Sequence, residues 1–171
     1  MMPSTPNQMW IMRLFGERAA QPGTVAGRWL QACLLRQDER RDRILEEVSS
    51  SGWNSEDTLA VVRCAFTLAL YRFPHNASEE AVIEQLIEGL RRTFGAEAPD
   101  EDALRAEIRR AFAGDHGPSR EINAPTELRV YSLVTFHIAG ALRMSRRAIT
   151  KLVVNAERWA NDLGWKPTPA S

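Results

Sequence analysis

Along almost the whole chain the large apolar residues recur three or four positions apart, and no stretch alternates them singly with polar ones. The first spacing paints one face of an α-helix, whereas a half-buried strand needs the second. This feature restricts the chain to an all-α fold. One stripe runs from Trp29 through Leu34 to Val48, a second from Leu59 to Phe73, a third from Val82 to Phe94 and a fourth from Leu104 to Phe112. Two more run from Leu128 to Leu142 and from Ile149 to Leu163.

The residues between the stripes are helix punctuation. Ser55, Ser78, Asp100 and Ser145 are placed to cap helix starts, the first three with acids directly behind them at the positive end of the helix dipole, and Thr126-Glu127 is read as another start. Gly52, Gly95, Gly114 and Gly164 fall where a helix end takes a left-handed residue, and Pro74 and Pro167 forbid continuation. Asp115 to Pro125 is the longest loop. The expectation is a single-domain bundle of about six helices over residues 24–164, with an N-terminal arm over 1–23 and a tail over 165–171. Phe66–Gly95 and Phe136–Gly164 share a pattern of apolar helix, turn, Ser-x-x-Ala and second stripe, which suggests two related helical hairpins. The uncharged stretch from Val130 to Leu142, containing Phe136, and Leu59 to Tyr71, with only Arg63 charged, are expected to form the bundle centre.

A chain of 171 residues can bury roughly two-thirds of its unfolded surface, so it needs no metal or disulfide to hold it. Its two cysteines, Cys33 and Cys64, lie inside apolar stripes without a metal-ligand spacing and are read as reduced core thiols. Met1 to Gln8 lacks a basic region followed by an apolar one, and the longest uncharged run has 13 residues, too short to span a bilayer. A cytoplasmic protein without a membrane partner is expected. Twenty arginines against two lysines fit a GC-rich, bacterial genome.

Net charge is zero but unevenly spread: residues 76–125 carry 11 acids and 6 arginines, whereas 126–171 carry 7 bases and 3 acids. Such a split marks either a dock for a charged partner or two faces that attract each other.

The most specific local signal is Ile138-Ala139-Gly140-Ala141-Leu142-Arg143-Met144-Ser145-Arg146-Arg147-Ala148-Ile149-Thr150-Lys151-Leu152-Val153. It resembles the helix-turn-helix of bacterial DNA-binding regulators: Ala139 supplies the small residue of the first helix, Ser145 the cap of the second, and Ile138, Leu142, Met144, Ile149 and Leu152 the apolar seam. Arg143 stands at the turn position that this motif usually gives to glycine. The resemblance implies DNA contacts from Arg143, Ser145, Arg146, Arg147, Thr150 and Lys151, residue types suited to phosphates and base edges.

Catalytic signals are weak. His75, His116 and His137 are far apart and none forms an HExxH pair. Glu80, Glu84 and Glu88 share a helix face as in half of a carboxylate metal bundle, yet the Glu-x-x-His half is missing. Asp115-His116 are adjacent, a poor arrangement for two side chains to meet one substrate. No phosphate loop, dinucleotide fingerprint or nucleophile elbow occurs. The expectation is a protein that is not an enzyme and carries no cofactor or metal. Its five tryptophans, three of them in the arm or just past helix ends, are helix caps or partner anchors. Two functions follow: a helical module of regulatory type that binds a protein partner or itself, or a small DNA-binding regulator working through residues 138–153.

Overall fold

Thr24 is extended and its hydroxyl accepts the Gly27 amide at 2.9 Å, which starts helix α1 (Val25–Leu34). The same device, a short polar side chain on the third amide downstream, opens α4 (Glu79–Phe94) from Ser78, α5 (Glu101–Phe112) from Asp100, α6 (Ala124–Ala141) from Asn123 and α7 (Arg146–Asp162) from Ser145. Helices α2 (Asp38–Ser51) and α3 (Ser55–Arg72) complete the set, with a 3₁₀ turn at Gly95–Glu97. The computed structural model describes residues 20–51, 55–73, 78–166 and 169–170. The expected cluster from Met9 to Phe15, the Gly52-Trp53 ending and the stops at Pro74 and Pro167 lie outside them.

The protein is an all-α single domain. Among the described residues no strand forms, and no helix is long and apolar enough to cross a membrane.

The stripe from Trp29 to Val48 is two helices, not one. Leu35 ends α1, and Arg36 adopts a left-handed backbone with φ 57°, although nothing in its residue type announces a turn. The break is held by amide bonds from Arg36 to the Cys33 carbonyl at 3.1 Å and from Gln37 to that of Ala32 at 2.9 Å. These two bonds satisfy carbonyls that a helix end otherwise leaves open. Helix α6 also begins two residues earlier than expected, because Asn123 caps it and Pro125 sits in the first turn, where its missing N–H is not needed.

Helix α3 packs along α6 and α7, α1 lies across all three, and the α4–α5 hairpin docks on α6 through α4. The core centres on Phe66 of α3 and Tyr131 of α6, whose rings lie 4.7 Å apart. α3 and α6 do meet at the centre, but Phe136 is only half-buried, between Phe94 at 6.1 Å and the Arg36 guanidinium at 5.2 Å. The tail is tied in as well: Trp165 packs on the core and the Ala170 amide donates to the Gly23 carbonyl at 2.9 Å.

Helices α1 and α7 run antiparallel. The Glu157 carboxylate accepts the Gly23 amide at 3.0 Å and the Thr24 amide at 2.7 Å, and seven residues along each helix Gln31 reaches Thr150 at 2.9 Å. Gly27 leaves room for this carboxylate, since a Cβ there would lie 2.5 Å from a Glu157 oxygen and push it off the Gly23 and Thr24 amides.

Candidate functional site

The α6–α7 turn closes with the same left-handed helix end as the α1–α2 turn. Leu142 ends α6, Arg143 takes φ 48°, and the amides of Arg143 and Met144 donate to Gly140 at 3.1 Å and Ala139 at 3.0 Å. This is the geometry for which glycine is preferred, and Arg143 holds it at a strain of about 1 kcal/mol. Ile138, Ala139, Ile149 and Leu152 are buried in the seam, with Leu142 and Met144 half-buried against it.

Five of the six expected contact residues reach solvent. Arg143, Ser145, Arg146, Arg147 and Lys151 are exposed. Thr150 is not with them: it is 7% exposed, and its hydroxyl accepts a bond from the buried Gln31. The amphipathic pattern of α7 leaves Thr150 at the edge of its apolar stripe, and α1 covers that edge.

The electrostatics of this turn differ from the rest of the surface. Among the described residues Arg143, Arg146, Arg147 and Lys151 make no ion pair, whereas every acid on the exposed face of α4 that the sequence singled out is taken: Glu80 by Arg109 at 2.8 Å, Glu84 by Arg105, and Glu88 by Arg91 and Arg92 at 3.2 and 3.1 Å. The Arg105 bond holds the Glu84 carboxyl below its ordinary range. Among the described residues the acids of segment 76–125 that form ion pairs do so with arginines of the same segment, and none pairs with a base of 126–171. Helices α2, α4, α5 and α6 carry acids in their first turns, and α1 has the Glu157 carboxylate on its amides. The first turn of α7 holds no acid; it holds Arg146 and Arg147, cations at the positive end of the dipole. A phosphate relieves that repulsion.

A second cluster escaped the sequence reading. Arg63 of α3 pairs with Glu127 of α6 at 2.8 Å, with side chains 6% and 4% exposed. Glu107 of α5, also buried, accepts the Tyr131 hydroxyl, the Ser119 hydroxyl at 2.7 Å and Arg110 at 2.9 Å. The Ser119 amide donates to Glu127 at 2.9 Å, which ties the long loop to the core. Burial, then the bond to Glu107, pushes the Tyr131 phenol upward. Two arginines balance two carboxylates here, which is the arrangement of a structural clasp. Arg63, the single charge in its helix's apolar run, was the one signal of it in the sequence.

The remaining candidates point apart. Asp115 faces Arg110 at 3.2 Å, which with the Gly117 amide lowers its pKa, while the His116 ring meets Trp159 at 4.7 Å. His137 lies over Gly89, where an added Cβ would strike its ring, and burial lowers its pKa. Burial pushes both thiols, Cys33 and Cys64, up to about 12. Among the described residues no three His, Cys, Asp or Glu side chains gather as a metal site. His75 lies outside them. No family model, no curated protein and no solved structure matches the chain.

Proposed function

We propose that this chain is a non-enzymatic helical binding module of regulatory type whose ligand is duplex DNA, held at the α6–α7 turn. One observation carries the reading: Arg143, Arg146, Arg147 and Lys151 stand exposed in the α6–α7 turn and the first two turns of α7, and among the described residues none of them makes an ion pair. Charges placed this way raise the local concentration of a polyanion and exchange its counterions for themselves.

Fluorescence anisotropy of a labelled 20-base-pair duplex tests it. Binding at 50 mM salt that weakens at least about a hundredfold by 200 mM supports the reading, with Arg146→Ala/Arg147→Ala weaker by tenfold or more. No binding at 50 mM salt with tens of micromolar protein, or an Arg146→Ala/Arg147→Ala variant that binds like the parent, refutes it.

The second reading, an acidic protein surface on the same face, is favoured by the burial of Thr150 against Gln31, which takes away one base-edge contact. Polyglutamate that binds where the duplex does not would select it.

A further inference from the structure

We infer that the α1–α2 turn forms a second half of the same surface, through Arg36 and Arg40, and that the surface grips the DNA backbone without reading base sequence. The inference rests on the DNA reading above and specifies its extent and its substrate class.

Antiparallel packing sets the position of that turn. From the Gln31–Thr150 bond, four residues onward along α1 reach Leu35, and four residues back along α7 reach Arg146. At 1.5 Å per residue both steps cover the same distance, so the α1–α2 turn lies beside the first turn of α7. The Arg36 guanidinium is 5.2 Å from the Phe136 ring centre, and Phe136 lies seven residues before Arg143, which follows the end of α6. Arg36 therefore sits roughly 10 Å along the α6 axis from Arg143, about three base-pair steps of one DNA strand.

This second turn is neutral as a whole, with Arg36, Arg40 and Arg41 against Asp38, Glu39 and Asp42, but its acids do not pair with Arg36 or Arg40. Arg40 donates to the neutral amides of Gln37 and Gln31, each at 3.0 Å, and among the described residues neither Arg36 nor Arg40 makes an ion pair. Asp38 and Asp42 are both held by Arg41, at 3.1 and 3.0 Å. Among the described residues Glu39 makes no ion pair, whereas Asp38 and Asp42 do. The two turns share a backbone, Leu35-Arg36 and Leu142-Arg143 each placing an arginine in the left-handed region.

The middle of the surface lacks free groups for base edges. Gln31 and Thr150 bridge α1 and α7 between the turns, and each is buried and bonded to the other. Around them are cations and a capping serine, which suit phosphates.

The test measures affinity and its salt dependence for the full chain against two unrelated 20-base-pair duplexes, one AT-rich and one GC-rich. The inference predicts affinities within threefold of each other and a slope of log affinity against log salt near about −5 for six cations. Arg36→Gly/Arg40→Gln should make the slope shallower by about 2 and weaken binding tenfold or more, while Arg36→Lys/Arg40→Lys stays within twofold of the parent. Arg36→Gly alone, which accepts φ 57° without strain, should change the slope by about 1 and serves if the double variant unfolds. Glu39→Gln should tighten binding. If Arg36→Gly and the double variant bind like the parent while Arg146→Ala/Arg147→Ala fails, this inference falls and the DNA reading stands. More than tenfold preference between the duplexes overturns sequence independence, and no binding by the parent overturns both readings.

Discussion

Gln31 donates its side-chain amide to the Thr150 hydroxyl over 2.9 Å, with both residues buried, and this bond holds Thr150 on the covered side of α7. Because Gln31 also donates to Gln21 at 3.2 Å, losing the hydroxyl leaves the amide partly satisfied. Thr150→Val is therefore expected to lower stability by only about 0.5 to 1.5 kcal/mol. Its DNA affinity should stay within twofold of the parent, as measured by anisotropy. A tenfold loss would mean that Thr150 reaches the ligand after all.

Removing one partner of the Arg63–Glu127 pair strands a charge in the core. Arg63→Met should destabilise by about 3 to 5 kcal/mol in chemical denaturation. Arg63→Met/Glu127→Met should lose less than the sum of the single variants, since no unpaired charge remains. Additive losses would show that the pair is not coupled.

The punctuation of this fold was legible where a residue type has one local use. Ser78, Asp100 and Ser145 cap the helices assigned to them, and Gly114 and Gly164 end α5 and α7 in the left-handed region. The break at Arg36 was not legible, because arginine carries no turn preference and the two bonds that hold it come from carbonyls already in α1. Long-range facts were hidden for a different reason. That α1 covers Thr150, and that Glu127 turns inward to Arg63 instead of facing solvent at its helix start, depends on which helices meet. A stripe of apolar residues says that a face is covered without saying by what. Of the two readings of the charge split, mutual attraction of the segments is not what pairs the α4 acids, since the arginines that neutralise them are on α4 and α5 themselves.

His137 makes the stability depend on pH. Burial lowers its folded pKa below the ordinary 6.5, so the unfolded chain takes up the proton first. Its contribution is present in full above pH 6.5 and is lost as pH falls from there toward the folded value. Urea midpoints of the parent and of His137→Leu, compared at pH 7.5 and 5.0, should converge or cross in favour of the variant at the lower pH. An identical pH response in both would contradict this.

Arg143 sets stability against binding. Its left-handed backbone strains an arginine but not a glycine, so Arg143→Gly should raise stability by about 0.5 to 1 kcal/mol in thermal or urea unfolding. The same variant should bind DNA more weakly, with a salt slope shallower by about 1. Loss of stability would show that the Arg143 side chain is needed by the fold.

The most direct measurement is an amide chemical-shift map of the full chain titrated with a 20-base-pair duplex at low salt. The account predicts that the amides of Arg143, Ser145, Arg146, Arg147 and Lys151 move most, with the turn at Arg36 next and the ion-paired α4–α5 hairpin unmoved. Shifts centred on α4 and α5, or none anywhere at saturating duplex, would contradict it.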